Sequence, residues 1–191
     1  MLLAYLVLII SLHSPMAIAQ HDGAPGKTMP SVQSEKLPPA VALERFIGLG
    51  KSIDSELIKN LPVQSQGRIK PLDTFARETV LYLTGKYSFF GLNAIQLYFA
   101  IIISNNTSDL ALINIRDPNL REKLGFMKSE RYYSLAQLEQ TELESLLKPV
   151  IDKQRQNEKS ITPDEKKILE AAQQSYVLRS IQSGEHFFQA L

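Results

Sequence analysis

The sequence predicts a small, mainly α-helical domain with one or two short β-strands, closed by a C-terminal helical hairpin. Two capped apolar stripes near the C-terminus predict the hairpin, and an apolar stretch at residues 91–103 predicts a buried helix. Residues 61–78 place glycine and proline where a strand, a turn and a helix start require them. The 191 residues are enough for one domain with a hydrophobic core.

Composition excludes several classes of function. The formal net charge is +1, from 21 basic and 20 acidic residues, so no nucleic-acid partner is expected. The chain has no cysteine, which excludes disulfides, thiolate metal sites, thiol redox chemistry and a CxxCH haem attachment motif. His13 and His21 precede the predicted fold and only His186 falls near it, so no metal or cofactor site and no catalytic residue is predicted.

The N-terminus predicts export. Residues 2–12 are apolar but too short for a comfortable membrane span, and Ala17-Ile18-Ala19 is a cleavage pattern, so residues 1–19 are predicted to be a signal peptide. Because no Lys or Arg precedes the apolar run, an uncleaved inner-membrane anchor is the alternative. Residues 20–40 are rich in Gly, Pro, Ser and Lys and predict a flexible tether, followed by a folded domain at 41–191.

In the first half of the domain, residues 41–50 and 53–61 each predict a short helix or helical turn, interrupted at glycines 48 and 50. Val63 and Ile69 are β-prone and flank the turn signal Gln66-Gly67. A helix is predicted over 71–84, started by Pro71 and stopped by Gly85. Residues 91–103 are too short to cross a membrane, so a core helix is expected, with docking on an apolar membrane partner as the alternative.

In the second half, residues 110–115 predict a short strand, and Asp117-Pro118 begins a helical turn that ends at Gly125. Ser134 and Gln137 form a capping box, and the apolar stripe that follows reaches Ile151, with a kink or helix restart expected at Pro149. A second capping box at residues 162–165 begins the last long helix, which ends at 183–184. The polar residues between these two helices predict the bend of a hairpin.

Residues 61–78, LPVQSQGRIKPLDTFARE, resemble a segment of the CcsA/ResC-type (system II) cytochrome c biogenesis proteins. The resemblance is to the versions whose membrane bundle follows an extracytoplasmic domain. The stretches GKYSFFGLNAIQLYFAIIIS and DLALINIRDPNLREKLGFMKSERYYSLAQL are similar to later parts of that domain, with lower specificity. Such proteins continue into several membrane helices with a tryptophan-rich segment and haem-handling histidines, whereas this sequence has no tryptophan. None of the haem-handling residues transfers to a position here.

The resemblance therefore implies a non-catalytic periplasmic accessory or docking domain in cytochrome c maturation. Its expected partner is a membrane haem-handling subunit, with apocytochrome c as a further candidate. Both a free-standing chain and an interrupted reading frame fit this interpretation. The alternative is a periplasmic haem or small-ligand binding protein that uses His186, Met127 and the tyrosines. A hydrolase is a third hypothesis, disfavoured because no G-x-S-x-G or H-E-x-x-H motif is present.

Two surfaces are predicted to bind the partner. One is the turn region, where Arg68 and Lys70 precede a helix N-terminus that favours anions such as haem propionates or an acidic loop. The other is an aromatic pair expected to be exposed. The alternative for the turn region is a structural role with solvated basic side chains. The predicted residues are Gln64, Gly67, Arg68, Lys70, Tyr132 and Tyr133.

Overall fold

Helices form most of the described part of this protein, and two short antiparallel strand pairs accompany them there, which confirms the predicted mainly α-helical class. The computed structural model describes residues 38–65, 67–104, 107–156 and 161–188. The predicted signal peptide and nearly all of the predicted tether lie outside these residues. The elements are α1 (Pro39–Lys51), α2 (Ser55–Ile58), β1 (Pro62–Ser65), β2 (Arg68–Pro71), α3 (Leu72–Thr84), α4 (Ala94–Ile103), β3 (Ile113–Asn114), α5 (Pro118–Lys123), β4 (Tyr132–Tyr133), α6 (Leu135–Glu139), α7 (Leu143–Gln156), α8 (Pro163–Gln182) and α9 (Glu185–Phe188).

Helix α1 begins at Pro39, so the predicted tether overlaps its first two residues, and it runs through both glycines. The expected interruption at Gly48 and Gly50 is wrong. Gly50 is buried, and a Cβ added there would lie 2.5 Å from Leu92 Cδ1, so a glycine at this position lets α1 approach the residues that precede α4. The second predicted helix is the single turn α2, whose N-terminal N–H groups donate to the Asp54 carboxylate.

Strands β1 and β2 form the predicted hairpin, which is confirmed. Ser65 pairs with Arg68, so the register leaves a two-residue loop, and Gly67 has φ +73°. The chain then passes into α3, for which Pro71 is the N-cap residue rather than the predicted first helical residue. Gly85 ends α3 in the left-handed conformation, as its sequence position predicts.

The core lies between α3, α4 and α8. Helix α4 begins with a capping box formed by Asn93 and Gln96, and six of its ten residues are buried. Tyr98 is the largest of these, and its ring meets that of Phe75 on α3 edge-to-face, with centroids 5.5 Å apart. The prediction that residues 91–103 form a core helix is confirmed for the segment from Ala94 onward. No helix in the described ranges is both long and apolar enough to cross a membrane.

The predicted strand at residues 110–115 is shorter than expected. Strand β3 covers only Ile113–Asn114 and pairs with β4. Helix α5 follows as predicted, with Asp117 as N-cap residue and Gly125, at φ +80°, just beyond its end.

The capping boxes at the starts of α6 and α8 are both confirmed, but the break between α6 and α7 is not where the sequence predicts it. The chain leaves the helix after Glu139, and Thr141 Oγ1 donates to Leu138 O and accepts from Leu143 N–H. Helix α7 then continues through Pro149, which is exposed, so its ring lies on the solvent side. The expected helix restart at Pro149 is therefore wrong, whereas the expected kink stays a prediction.

Helices α7 and α8 pack against each other and form the predicted C-terminal hairpin. Lys153, near the end of α7, forms an ion pair with Glu165 in the first turn of α8, with 2.5 Å between Nζ and Oε1. That contact and the α8 capping box hold the pKa of Glu165 at about 2. Residues 157–160 of the predicted bend lie outside the described residues.

Candidate functional site

The turn region predicted to bind a partner is a surface hairpin in which one of the two basic side chains, Lys70, is paired with a carboxylate. Gln64, Gly67 and Arg68 are exposed. Lys70 is half-buried, forms an ion pair with Glu78 of α3, and its Nζ lies 5.9 Å from the centroid of the Phe75 ring. Lys70 is therefore held within the fold, whereas Arg68 makes no ion pair with the described carboxylates.

The N-terminus of α3, where the sequence predicts that an anion is favoured, already uses two of its backbone donors within the fold. The N–H groups of Leu72 and Asp73 donate to Leu61 O at 2.8 Å and Lys59 O at 3.0 Å. Asp73 also places a carboxylate in the first turn, paired with Arg77 at 2.9 Å. Because two first-turn donors are used and a carboxylate is already present, these contacts fit the structural alternative. Whether Gln64, Gly67 and Arg68 contact a partner stays a prediction.

Three of the four residues on the outer face of the hairpin are apolar, and all four are exposed. Pro62, Gln64, Ile69 and Pro71 share this face by register, and the Ile69 side chain is 77% exposed. Leu72 N–H bonds to Leu61 O, so by antiparallel alternation Pro62 and Pro71 occupy a pair without inter-strand hydrogen bonds. At that position the backbone of each strand faces outward, and a proline offers no N–H to an added strand. Each edge of the hairpin therefore lacks one donor to an added strand, at Pro62 and at Pro71.

The two adjacent tyrosines predicted to be exposed differ from each other. Tyr133 is fully buried and stacks on Phe126 with ring centroids 4.0 Å apart, and its hydroxyl donates to Glu130 O at 2.8 Å. The expectation that Tyr133 is exposed is wrong, because successive residues of β4 face opposite sides and Ile113, its partner in β3, is also buried. Tyr132 faces the other side and is half-buried.

Tyr132 belongs to a cluster that we call the basic–aromatic corner, defined by Lys86, Phe89, Phe90, Arg116 and Tyr132. The Phe89 ring centroid lies 4.4 Å from that of Phe90 and 4.9 Å from that of Tyr132. Lys86 Nζ lies 5.6 Å from the Phe89 centroid and 5.5 Å from the Tyr132 centroid. The ammonium group is thus held by two ring faces at cation–π distance.

A strained turn presents two rings of this corner. Phe89 and Leu92 exchange backbone hydrogen bonds of 3.1 and 2.9 Å around Phe90 and Gly91, which have φ of +53° and +73°. Positive φ at both central residues is typical of a type I′ turn, in which Asn, Asp and Gly are the preferred residues. Phe90 is the one non-glycine residue with positive φ among those described. Its ring meets the buried Phe46 edge-to-face, with centroids 6.3 Å apart.

The C-terminus of α3 brings Arg116 to the same corner. Asn114 Nδ2 donates to Thr84 O at 3.1 Å, which satisfies a carbonyl in the last turn of α3. A Cβ on Gly85 would lie 2.4 Å from Asn114 Nδ2 and 3.6 Å from Arg116 Nη2. The guanidinium group of Arg116 therefore lies beside Gly85, next in sequence to Lys86, at the negative end of the helix dipole.

Of the corner, the sequence identified only Tyr132. The segment GKYSFFGL carried a family resemblance without any assigned site, and its Phe-Phe-Gly triplet is a turn signal only at Gly91. The Thr84–Asn114 contact that brings Arg116 close joins residues separated by 30 positions and has no local signal.

His186, a candidate ligand in the sequence-based alternative, lies against the core. Its ring stacks on Phe75 with centroids 5.3 Å apart, and its Nδ1 lies 3.1 Å from the Tyr98 hydroxyl. Burial lowers the pKa of His186 to about 4, so the imidazole is neutral at pH 7. Met127, the other candidate ligand, is 62% exposed. The polar group in contact with the His186 ring is thus the Tyr98 hydroxyl and not the Met127 side chain.

Comparison with known proteins gives no identification, since neither a protein-family model nor a curated protein matches the chain. Within the described ranges, no group of three or more His, Cys, Asp or Glu side chains is arranged to hold a metal ion. The features that remain for a functional proposal are the exposed hairpin face and the basic–aromatic corner.

Proposed function

We propose that this protein is a non-catalytic periplasmic docking domain of cytochrome c maturation, which binds a membrane haem-handling subunit of the CcsA/ResC type. The observation that carries the proposal is the location of the family-like segments. Residues 61–78 include the surface hairpin with its exposed Ile69, and the Lys86–Gly91 part of GKYSFFGL forms most of the basic–aromatic corner.

The physical character of both features supports binding rather than catalysis. An exposed isoleucine at a hairpin tip and rings held at a surface supply apolar area that a protein partner covers. The residues that anchor these features, such as Val63 and Phe46, are themselves buried at 2% and 1% exposure. Each feature is therefore fixed on the core before it meets a partner, which lowers the ordering cost of association.

Co-purification tests the proposal. An affinity-tagged copy of this protein, expressed with a CcsA/ResC-type membrane subunit, is expected to retain that subunit in mild detergent. Ile69→Glu is expected to reduce the retained amount, because it places a charge in the covered apolar face. Val41→Glu on α1 is the matched control, since Val41 is also an exposed apolar residue at 47%. Absence of the subunit from the purified wild-type protein would contradict the proposal.

A further inference from the structure

The basic–aromatic corner carries two exposed cations, Lys86 and Arg116. The ion pairs between described residues involve other lysines and arginines, such as Lys153 with Glu165 and Lys167 with Asp117. Lys86 and Arg116 are exposed and form no ion pair with any carboxylate in the described ranges. Lys86 directly follows Gly85, and the Arg116 guanidinium lies beside Gly85, so both residues are available to an anionic partner near the end of α3.

The lysine is also positioned in advance. Its Nζ lies within 5.6 Å of two ring centroids, so the rings restrict a side chain that is otherwise among the most flexible. Cation–π contact leaves the hydrogen-bond donors of the ammonium group available, because the ring face attracts the positive charge without forming a directed hydrogen bond. A carboxylate that approaches Lys86 therefore meets an ordered donor.

The strained turn adds apolar area at the same place. A phenylalanine with φ +53° adopts a conformation that glycine or asparagine adopts at lower cost. Strain of this kind persists where the surrounding structure determines it, and it concentrates at functional positions. Here it holds the half-buried ring of Phe90 against Phe89, whose ring also contacts Tyr132 and lies beneath the Lys86 ammonium group.

We infer that the basic–aromatic corner binds an acidic segment of a partner protein in which carboxylates alternate with an aromatic or large apolar side chain. The carboxylates pair with Lys86 and Arg116, and the apolar side chain packs on Phe89, Phe90 and Tyr132. Charge complementarity selects this occupant, because the two charged side chains that define the corner, Lys86 and Arg116, are both positive and both donate hydrogen bonds. The inference deepens the docking role proposed above and rests on it, by assigning the chemistry of the partner segment.

A peptide titration tests the inference without the membrane subunit. The probe is a fluorescein-labelled synthetic peptide of alternating glutamate and phenylalanine, and the measurement is fluorescence anisotropy with the full chain. The wild-type protein is expected to bind it with an affinity that falls as salt is raised. A peptide with glutamine in place of glutamate is expected to bind at least about tenfold more weakly.

Three variants locate the binding. Lys86→Gln combined with Arg116→Gln is expected to weaken binding at least about tenfold. The control is Lys148→Gln combined with Lys166→Gln, because both lysines are exposed and neither forms an ion pair with a described carboxylate. Phe90→Gly removes the ring and suits the left-handed backbone, so it is expected to weaken binding while thermal unfolding shows a folded protein. Equal affinity for both peptides, or an unchanged affinity in the Lys86 and Arg116 variant, would overturn the inference. Those results would leave the co-purification with the membrane subunit unaffected, so the two proposals fail separately.

Discussion

Acidification is expected to loosen the C-terminal end of this protein through His186. The imidazole is packed on Phe75, and burial lowers its pKa to about 4, whereas an unfolded histidine titrates near its ordinary value of 6.5. Below that value the unfolded chain binds a proton that the folded chain does not. Folding stability from this residue is therefore full above the unfolded pKa and is lost as the pH falls toward 4.

The magnitude follows from the two pKa values. Between about pH 7.5 and about pH 5.5, the proton uptake of the unfolded state lowers the free energy of unfolding by at most about 1.4 kcal/mol. At the lower pH the carboxylates remain ionised, because even an unperturbed glutamate titrates near about 4.3. Histidine titration thus dominates the difference between the two conditions.

Urea unfolding followed by circular dichroism, at both pH values, is the assay. The wild-type protein is expected to lose stability on acidification, and His186→Gln to lose less by up to about 1.4 kcal/mol, even though its absolute stability is lower. His13 and His21 are present in both proteins, so their contribution cancels. An equal loss in the two proteins would refute the reasoning, because it would show that His186 titrates alike in the folded and unfolded chain.

Two glycines, Gly50 and Gly85, lie so close to a neighbouring side chain that alanine substitutions give further predictions, each measured by urea unfolding. Gly50→Ala is expected to be about 1–3 kcal/mol less stable than Gly48→Ala. Both variants gain helix propensity, but only the Cβ at position 50 would lie 2.5 Å from Leu92 Cδ1. Equal stabilities would contradict the close packing of α1 at Gly50. Gly85→Ala is expected to cost more than the ~1–2 kcal/mol of a left-handed alanine, because its Cβ would displace the Asn114 amide from Thr84. A loss confined to that range would show that the amide contact contributes nothing.

Local signals account for the elements that the sequence predicts well. Gly67, Gly85 and Gly184 adopt positive φ where the pattern requires a turn or a helix end. The capping box at Thr162 fixes the start of α8 because side-chain and backbone groups three positions apart satisfy each other. Such features depend on neighbours in the sequence, so a single chain is enough to recognise them.

The incorrect or missing predictions have two causes, tertiary packing and local competition for backbone hydrogen bonds. Two tyrosines in succession do not indicate which one faces the core, and the pairing of β4 with β3 buries Tyr133. The helix break falls at Thr141, whose hydroxyl competes for backbone groups, while Pro149 is accommodated on an exposed helix face. The basic–aromatic corner depends on a left-handed Phe90 and on a contact between α3 and β3. Local sequence preferences indicate neither feature, so the corner could not be predicted from the sequence.

The amount of haem covalently attached to c-type cytochromes tests the central claim most directly. The measurement compares haem-stained cytochromes in the parent strain, in a strain from which this reading frame is deleted in frame, and in the deletion strain complemented with the intact sequence. The proposed docking role predicts a marked decrease on deletion and restoration on complementation. Unchanged c-type cytochromes in the deletion strain would contradict it.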